Sequence, residues 1–296
     1  MRATQAYPIP RRTLDTRAYR TIEVTPVTPT AGAEVRGVDL ARPLGEEQFA
    51  EIQDAFLRHL VLFFRGQRRL TPEEQIRFGH RFGPLHLHPA APHAEGYPEV
   101  MIVRTDRDSK VHNGETWHSD VSCDAEPPLG SILQIHVLPP WGGDTLWANM
   151  YAAYDDLSAS LKEILAGLVA VHESDHVYRG RYRDQGAEED TGKVYPCSEH
   201  PVVRTHPETG KQAIFVSRIF TTRLKGLEPA ESQALLQFLF RHVESPYYQV
   251  RFRWQQDDVA LWDNRCTQHL AIWDYWPHER QGHRVAIKGD RPFYRG

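Results

Sequence analysis

Within the stretch "GETWHSDVSC", His118 and Asp120 carry the first side chains whose types and spacing could do chemistry. On a strand, residues i and i+2 project from one face, so this imidazole and carboxylate would point together. Such a pair can supply half of a divalent cation's protein ligands, and it can equally be an ordinary hydrogen-bonded pair inside a fold. The spacing alone selects nothing, because H-x-[DE] recurs at His93/Glu95, His206/Glu208 and His242/Glu244 in a chain with 16 histidines. The His242 pair falls in a predicted helix, where i and i+2 diverge. Only His118 is followed by aspartate and leads into a strand-rich region.

The far end of the chain, "WDNRCTQHLAIWDYWPHERQGHRVAIKGD", offers His269 as a third ligand, with Arg280 and Arg284 at +11 and +15. Two imidazoles and one carboxylate on one face of a metal leave the opposite positions open. That arrangement suits non-haem iron(II), which must bind a co-substrate and oxygen together. Arginines beside such a centre would grip the distal carboxylate of an oxo-acid chelating the iron. The plainer alternative makes Arg280 and Arg284 surface charges on the last strand pair.

These residues need a scaffold, and hydrophobic patterning supplies one. "TIEVTPVT" alternates and is β-branched, predicting a strand. "LGEEQFAEIQDAFLRHL" places Phe49, Ile52, Phe56 and Leu60 at helical spacing. "VLFFRGQ" predicts a short buried strand, and "TPEEQIRFGHRFG" a helix capped by Thr71 with Pro72 in first position. "LHLHPAAPHAEGYPEV" reads as a strand end running into a loop. Beyond Trp117, "GSILQIHVL", "GGDTLWAN", "AIFVS", "YYQVRFRWQQDDVALWDNR" and "HRVAIKG" carry strand signals, interrupted by a helical excursion near 150–168. "EPAESQALLQFLFRHVES" predicts a third helix with a stripe through Leu235, Phe238 and Leu239, while "RGRYRDQGAEEDTGKV" predicts a long exposed loop, with 179–195 a candidate lid. Many strands with few helices predict a mainly β fold with helical insertions, a sandwich or barrel. A polar N-terminal tail, 1–20, is expected to precede one domain spanning 21–296.

Composition narrows the function classes. With 296 residues, 40% hydrophobic and 25% charged, the chain has a globular profile. A net charge of −4 without a lysine or arginine block predicts no nucleic-acid partner. No apolar run approaches a membrane span, so no membrane partner is expected. Three widely spaced cysteines with no C-x-x-C predict reduced thiols and a cytoplasmic location.

The joint pattern of W-H-x-D at Trp117–Asp120, G-G-D-T at Gly142–Thr145, F-T-T-R at Phe220–Arg223 and N-R-x-x-x-H at Asn264–His269 resembles the taurine/2,4-dichlorophenoxyacetate dioxygenase family. These are iron(II)- and 2-oxoglutarate-dependent oxygenases. The similarity extends from about Thr28 to Asp290. It implies a double-stranded β-helix (jelly-roll) core and a dioxygenase using Fe(2+), 2-oxoglutarate and O2. It implies iron ligands at His118, Asp120 and His269, and a 2-oxoglutarate carboxylate site at Thr145 and Arg280. It also implies a substrate-anion site formed by His88, the Val121 N–H and Arg284, with Trp117 walling the pocket, and a homo-oligomeric assembly.

Two positions depart from the taurine pattern. Ala91 stands where a tyrosine is expected and Gly114 where an asparagine would meet an amine. Both remove side chains from the substrate end. The expected reaction is hydroxylation of a carbon next to a heteroatom in an organic anion bulkier than taurine. "LHLHPAAP" followed by "GETWHSDVSC" is similar to the aryloxyalkanoate (phenoxypropionate) branch, with alkyl sulfates and sulfonates as further candidates. The competing readings are a zinc hydrolase on the same ligands, which does not need Thr145 and Arg280, and a non-enzymatic β-sandwich binding protein in which His118 and Asp120 merely pair.

Overall fold

A computed structural model describes residues 13–88, 90–112, 114–181 and 192–296. The candidate lid at 179–195 therefore lies largely outside the described residues, as does most of the polar tail. Within the described part of the tail, Tyr19 donates to Asp54 at 2.7 Å and so rests on the first helix.

Two sheets carry the site. The larger runs in the order Glu23–Pro26, Ala33–Arg36, Val61–Phe64, Val259–Asp263, Gly130–Val137, Arg280–Ile287, Tyr97–Thr105, His93–Ala94, with Leu85–His86 also pairing onto Arg280–Ile287. The smaller places Thr145–Asn149 between Gln249–Phe252 and Thr267–Ala271. This is a mainly β jelly-roll with helical insertions, as expected. All pairings in both sheets are antiparallel except Ala33–Arg36 with Val61–Phe64, which the helix Glu46–His59 connects as a crossover.

Strands at the centre of the large sheet are buried on both faces, which explains their near-continuous apolar runs. Leu62, Phe64, Val259 and Leu261 face the helices Glu46–His59 and Pro72–His80, meeting Ile52, Phe56 and Phe78. Phe63, Ala260 and Trp262 point the other way, into the core between the sheets. There Phe63 stacks on Phe252 at 4.0 Å and lies edge-on to Trp147 at 5.5 Å. Trp147 meets Trp262, and Trp262 lies 4.9 Å from the His269 ring. The aromatic core thus runs up to the candidate site and fixes its floor.

The helix starts follow their caps. Thr71 accepts from the Glu74 N–H while Glu74 caps the Thr71 N–H, and Pro72 opens the helix. A glutamate version closes the start of Pro229–Val243, with Glu228 and Glu231 capping each other. The buried face of that helix is Ser232, Leu236, Leu239, Phe240 and Val243. Of the expected stripe, Leu239 belongs to it and half-buried Leu235 packs against the same core, whereas Phe238 does not. Phe238 is 41% exposed and stacks on His242 at the surface. The strand expected at "AIFVS" ends at Ile214. The excursion near 150–168 is two helices, Met150–Asp155 and Ala159–Leu165.

Candidate active site

His118 is held by a single antiparallel bridge to His269: the His118 N–H donates to the His269 carbonyl at 3.1 Å and receives the reciprocal bond at 2.8 Å. This reciprocal pairing sets both imidazoles on one side, ring centroids 4.1 Å apart. His118 is thus bridged singly, and Asp120 sits in the turn that follows, instead of on one continuous strand face. The turn brings the carboxylate back under the rings. Asp120 Oδ1 lies 3.8 Å from the Nε2 atoms of both histidines.

The other carboxylate oxygen is fixed by the protein. Ser131 donates to Asp120 Oδ2 at 2.8 Å and Asn264 Nδ2 at 3.3 Å, while Asn264 Oδ1 accepts from the Asp120 N–H and the Trp262 indole. The asparagine of the N-R-x-x-x-H stretch is therefore an orienting residue for Asp120. Burial raises the Asp120 carboxyl, but the Arg284 guanidinium and both imidazoles outweigh it and hold it well below the usual carboxylate range. Desolvation pushes His118 and His269 below the ordinary histidine range, so both rings are neutral near neutral pH. The Thr116 carbonyl, 2.7 Å from His118 Nδ1, can only accept; the ring proton sits there and leaves the Nε2 lone pair facing Asp120.

Two neutral imidazoles and one carboxylate, all buried with ligand atoms within 4.8 Å of one another, form a donor set of borderline and hard atoms. That set fits iron(II). A second group, His206, Asp263 and Cys266, is equally close-knit but has its atoms spent. His206 Nδ1 accepts from the Glu208 and Thr209 N–H groups, so Nε2 donates to Asp263, whose two oxygens also take Arg265 at 2.9 and 2.7 Å. It is a structural network.

Thr145 and Arg280, each 2% exposed, line the cavity that the triad also lines. Arg280 Nη2 is 3.5 Å from Thr145 Oγ1, and Arg280 Nε has no partner among the described residues. Burial lowers the Arg280 guanidinium from its ordinary value, and the nearby acid Asp144 is itself held by Arg251 at 2.7 Å. A desolvated cation without a paired carboxylate calls for an anion. Gly142 and Gly143 both take positive φ here, and a Cβ on Gly143 would stand 3.2 Å from the Arg280 side chain. The G-G-D-T turn is thus glycine-built to let Arg280 pass.

His88, Val121 and Arg284 line the same cavity, and His88 and Arg284 also border a smaller adjoining one. His88 Nδ1 accepts from the Ala90 and Ala91 N–H groups at 3.1 and 2.9 Å, which makes Nε2 the ring's N–H. Burial and then Arg284 push His88 down to about 3, keeping it neutral. Val121 adopts φ 45°, a strained value for a β-branched residue. Arg284 approaches Asp120 Oδ1 to 2.5 Å.

The expected substrate-end residues divide. Gly114 lines the cavity, against His118. Ala91 does not; it packs with Met101, Tyr178 and Phe220 and borders a smaller adjoining cavity. Trp117, expected to wall the pocket, is buried in the main core and does not line it. Trp262 provides that wall instead. Sequence reasoning also missed Val177, Tyr178, Ile219 and Arg181; of this wall only Phe220 lay in a motif singled out, F-T-T-R.

Comparison with known proteins identifies the family. The family model described as "Taurine catabolism dioxygenase TauD, TfdA family" matches residues 23–286. The chain is 38% identical over 278 residues to the alpha-ketoglutarate-dependent sulfate ester dioxygenase of Pseudomonas putida, covering 92% of this chain and 91% of that protein. It is 34% identical to the (S)-phenoxypropionate/alpha-ketoglutarate-dioxygenase of Sphingobium herbicidovorans, covering 85% and 90%. A crystal structure of a taurine dioxygenase from Burkholderia xenovorans superposes with TM-score 0.79 at 38% identity, covering 92% and 93%. Alpha-ketoglutarate and 2-oxoglutarate are the same compound. The chain therefore belongs to the TauD/TfdA family, as an iron(II)- and 2-oxoglutarate-dependent dioxygenase.

Proposed function

We propose that His118, Asp120 and His269 hold the iron, that Thr145 and Arg280 hold the distal carboxylate of 2-oxoglutarate, and that His88, the Val121 N–H and Arg284 hold an anionic substrate head group. The observation that carries this reading is that two cation-and-donor clusters, their arginines four residues apart on the strand Arg280–Ile287, line the same cavity as a buried His/Asp/His set. When bound, the iron supplies activation of O2, coupled to decarboxylation of 2-oxoglutarate to succinate and CO2 and to hydroxylation of the substrate carbon beside its heteroatom.

The protein's own part is position and charge. Asn264 and Ser131 fix one Asp120 oxygen and leave the other toward the imidazoles. Arg280 presents its planar guanidinium from a dry site, where a carboxylate regains its full charge-assisted hydrogen bonds. The backbone fixes the His88 tautomer, placing its N–H at Nε2. Met101, Val103, Val177, Ile219 and Phe220 line the cavity with apolar surface, which suits an alkyl or aryl group and excludes water from it. No acid–base dyad is called for.

We propose a sulfate ester with a medium-length alkyl chain as the substrate, with a sulfonate or an aryloxyalkanoate second. The first choice follows the sulfate ester relative, and the second the phenoxypropionate relative. Hydroxylation next to the ester oxygen gives a hemiacetal-like product that breaks down to aldehyde and sulfate. Residues 21–296 are proposed to act as one domain in a cytoplasmic homo-oligomer. Among the described residues, no helix is long and apolar enough to cross a membrane. A panel of alkyl sulfates, alkyl sulfonates, aryloxyalkanoates and taurine, scored for oxidised product and for succinate, tests the substrate class. Efficient turnover of taurine with none of the larger anions would overturn it.

A further inference from the structure

We infer that Trp254 is a positioning residue for the co-substrate. Its indole N–H commits the Thr145 hydroxyl to donate toward the distal carboxylate of 2-oxoglutarate, and its ring seats Arg280. The inference rests on the co-substrate reading of Thr145 and Arg280 above.

The geometry begins in the smaller sheet. Phe252 pairs with Thr145 in register, and Trp254, two residues on, folds back over the same place. Trp254 is 6% exposed and packs edge-on against Phe252 at 5.1 Å. Its Nε1 donates to Thr145 Oγ1 at 3.0 Å. An indole nitrogen can only donate, so the direction of this bond is fixed. A second donor, Arg280 Nη2, stands 3.5 Å from the same oxygen.

A hydroxyl has two acceptor positions and one proton. With two N–H groups directed at Oγ1, the acceptor side is occupied and the proton must go elsewhere. No described residue accepts it, and Thr145 lines the cavity. Meanwhile the Arg280 guanidinium carbon lies 5.7 Å from the Trp254 ring centroid, within cation–π range, and Nε has no partner among the described residues. One side chain thereby orients both co-substrate donors. A buried tryptophan with a satisfied N–H is also what an ordinary core would contain, so the test must separate positioning from packing.

The iron(II)-loaded enzyme is titrated anaerobically, by calorimetry, with 2-oxoglutarate and with 2-oxovalerate, which lacks the distal carboxylate. Trp254→Phe keeps an aromatic ring and removes the N–H. It is expected to weaken 2-oxoglutarate about three- to tenfold, the size of one hydrogen bond, and to leave 2-oxovalerate unchanged. In a Thr145→Val background, Trp254→Phe is expected to add no further loss for 2-oxoglutarate, because the hydroxyl it orients is gone. Equal weakening of both oxo-acids, or a full additional loss in Thr145→Val, would overturn the inference in favour of packing. Arg280→Ala separates the two levels. If it leaves 2-oxoglutarate binding intact, the co-substrate reading itself fails; if it weakens binding while Trp254→Phe does not, only the role of Trp254 fails. Should Trp254→Phe not fold, benzothienylalanine at 254, with sulfur replacing the N–H in the same shape, gives the same measurement.

Discussion

Arg284 Nη1 lies 2.5 Å from Asp120 Oδ1, the same oxygen that stands 3.8 Å from the Nε2 atoms of His118 and His269. One carboxylate oxygen thus faces both the candidate metal position and the candidate substrate cation. A divalent ion and Arg284 cannot both claim it fully. Arg284→Ala should therefore have two opposite effects. Without added metal the variant should melt lower, because an unpaired buried carboxylate costs roughly 3–5 kcal/mol. Iron(II) or manganese(II) should then raise its melting temperature more than it raises that of the wild type. Thermal melts with and without metal check this, and a smaller metal-induced rise in the variant would contradict it.

Arg280→Ala should weaken 2-oxoglutarate by about 2–5 kcal/mol, since it removes one partner of a desolvated charge pair. Arg280→Lys should recover part of this only, because a point charge cannot reproduce the planar fork. Apparent 2-oxoglutarate KM at saturating substrate is the measurement.

Gly143→Ala is expected to act on the Arg280 side chain through the backbone. The residue sits at φ 73°, and its new Cβ would stand 3.2 Å from the Arg280 side chain. A left-handed alanine costs about 1–2 kcal/mol of stability. The displaced guanidinium should also raise the 2-oxoglutarate KM, with substrate KM nearly unchanged.

Acid should destabilise the fold before most carboxylates titrate. His172 is 1% exposed, bonded through Nδ1 to Ser122, and pushed down to about 3 by burial and then by His200. Unfolded, it titrates near 6.5, so below that pH the unfolded chain binds the extra proton. The stability is present above pH 6.5 and is lost as pH falls toward about 3, with a slope of up to about 1.4 kcal/mol per pH unit. Denaturant melts between about pH 6.5 and 5.5 should show a shallower slope in His172→Gln than in the wild type.

Much of the site was legible because its chemistry is narrow. Few side chains ligate iron, and the joint spacing of W-H-x-D with N-R-x-x-x-H and two downstream arginines restricts the choice. Helix starts were legible where a local cap fixed them, as at Thr71. Legibility ended where tertiary packing decides which way a ring points. Trp117 and Trp262 are both buried aromatics near ligands, and only the folding of the two sheets puts Trp262 on the cavity wall. In the helix Pro229–Val243, Leu235, Leu236, Phe238 and Phe240 permit neighbouring apolar faces, and packing takes Leu235 and Leu239 to the core but leaves Phe238 in solvent. Ala91 was placed in the substrate pocket from sequence position, whereas its buried neighbours hold it behind the cavity.

The proposed role of His118, Asp120 and His269 is to hold iron(II) so that 2-oxoglutarate can chelate it beside Arg280. Anaerobic addition of iron(II) followed by 2-oxoglutarate should give a weak visible charge-transfer band in the wild type. The band should be absent in Asp120→Ala, which loses the only anionic ligand while keeping its far-ultraviolet circular dichroism. Succinate formation should disappear with it. An undiminished band and undiminished 2-oxoglutarate-dependent succinate release in folded Asp120→Ala would contradict the account.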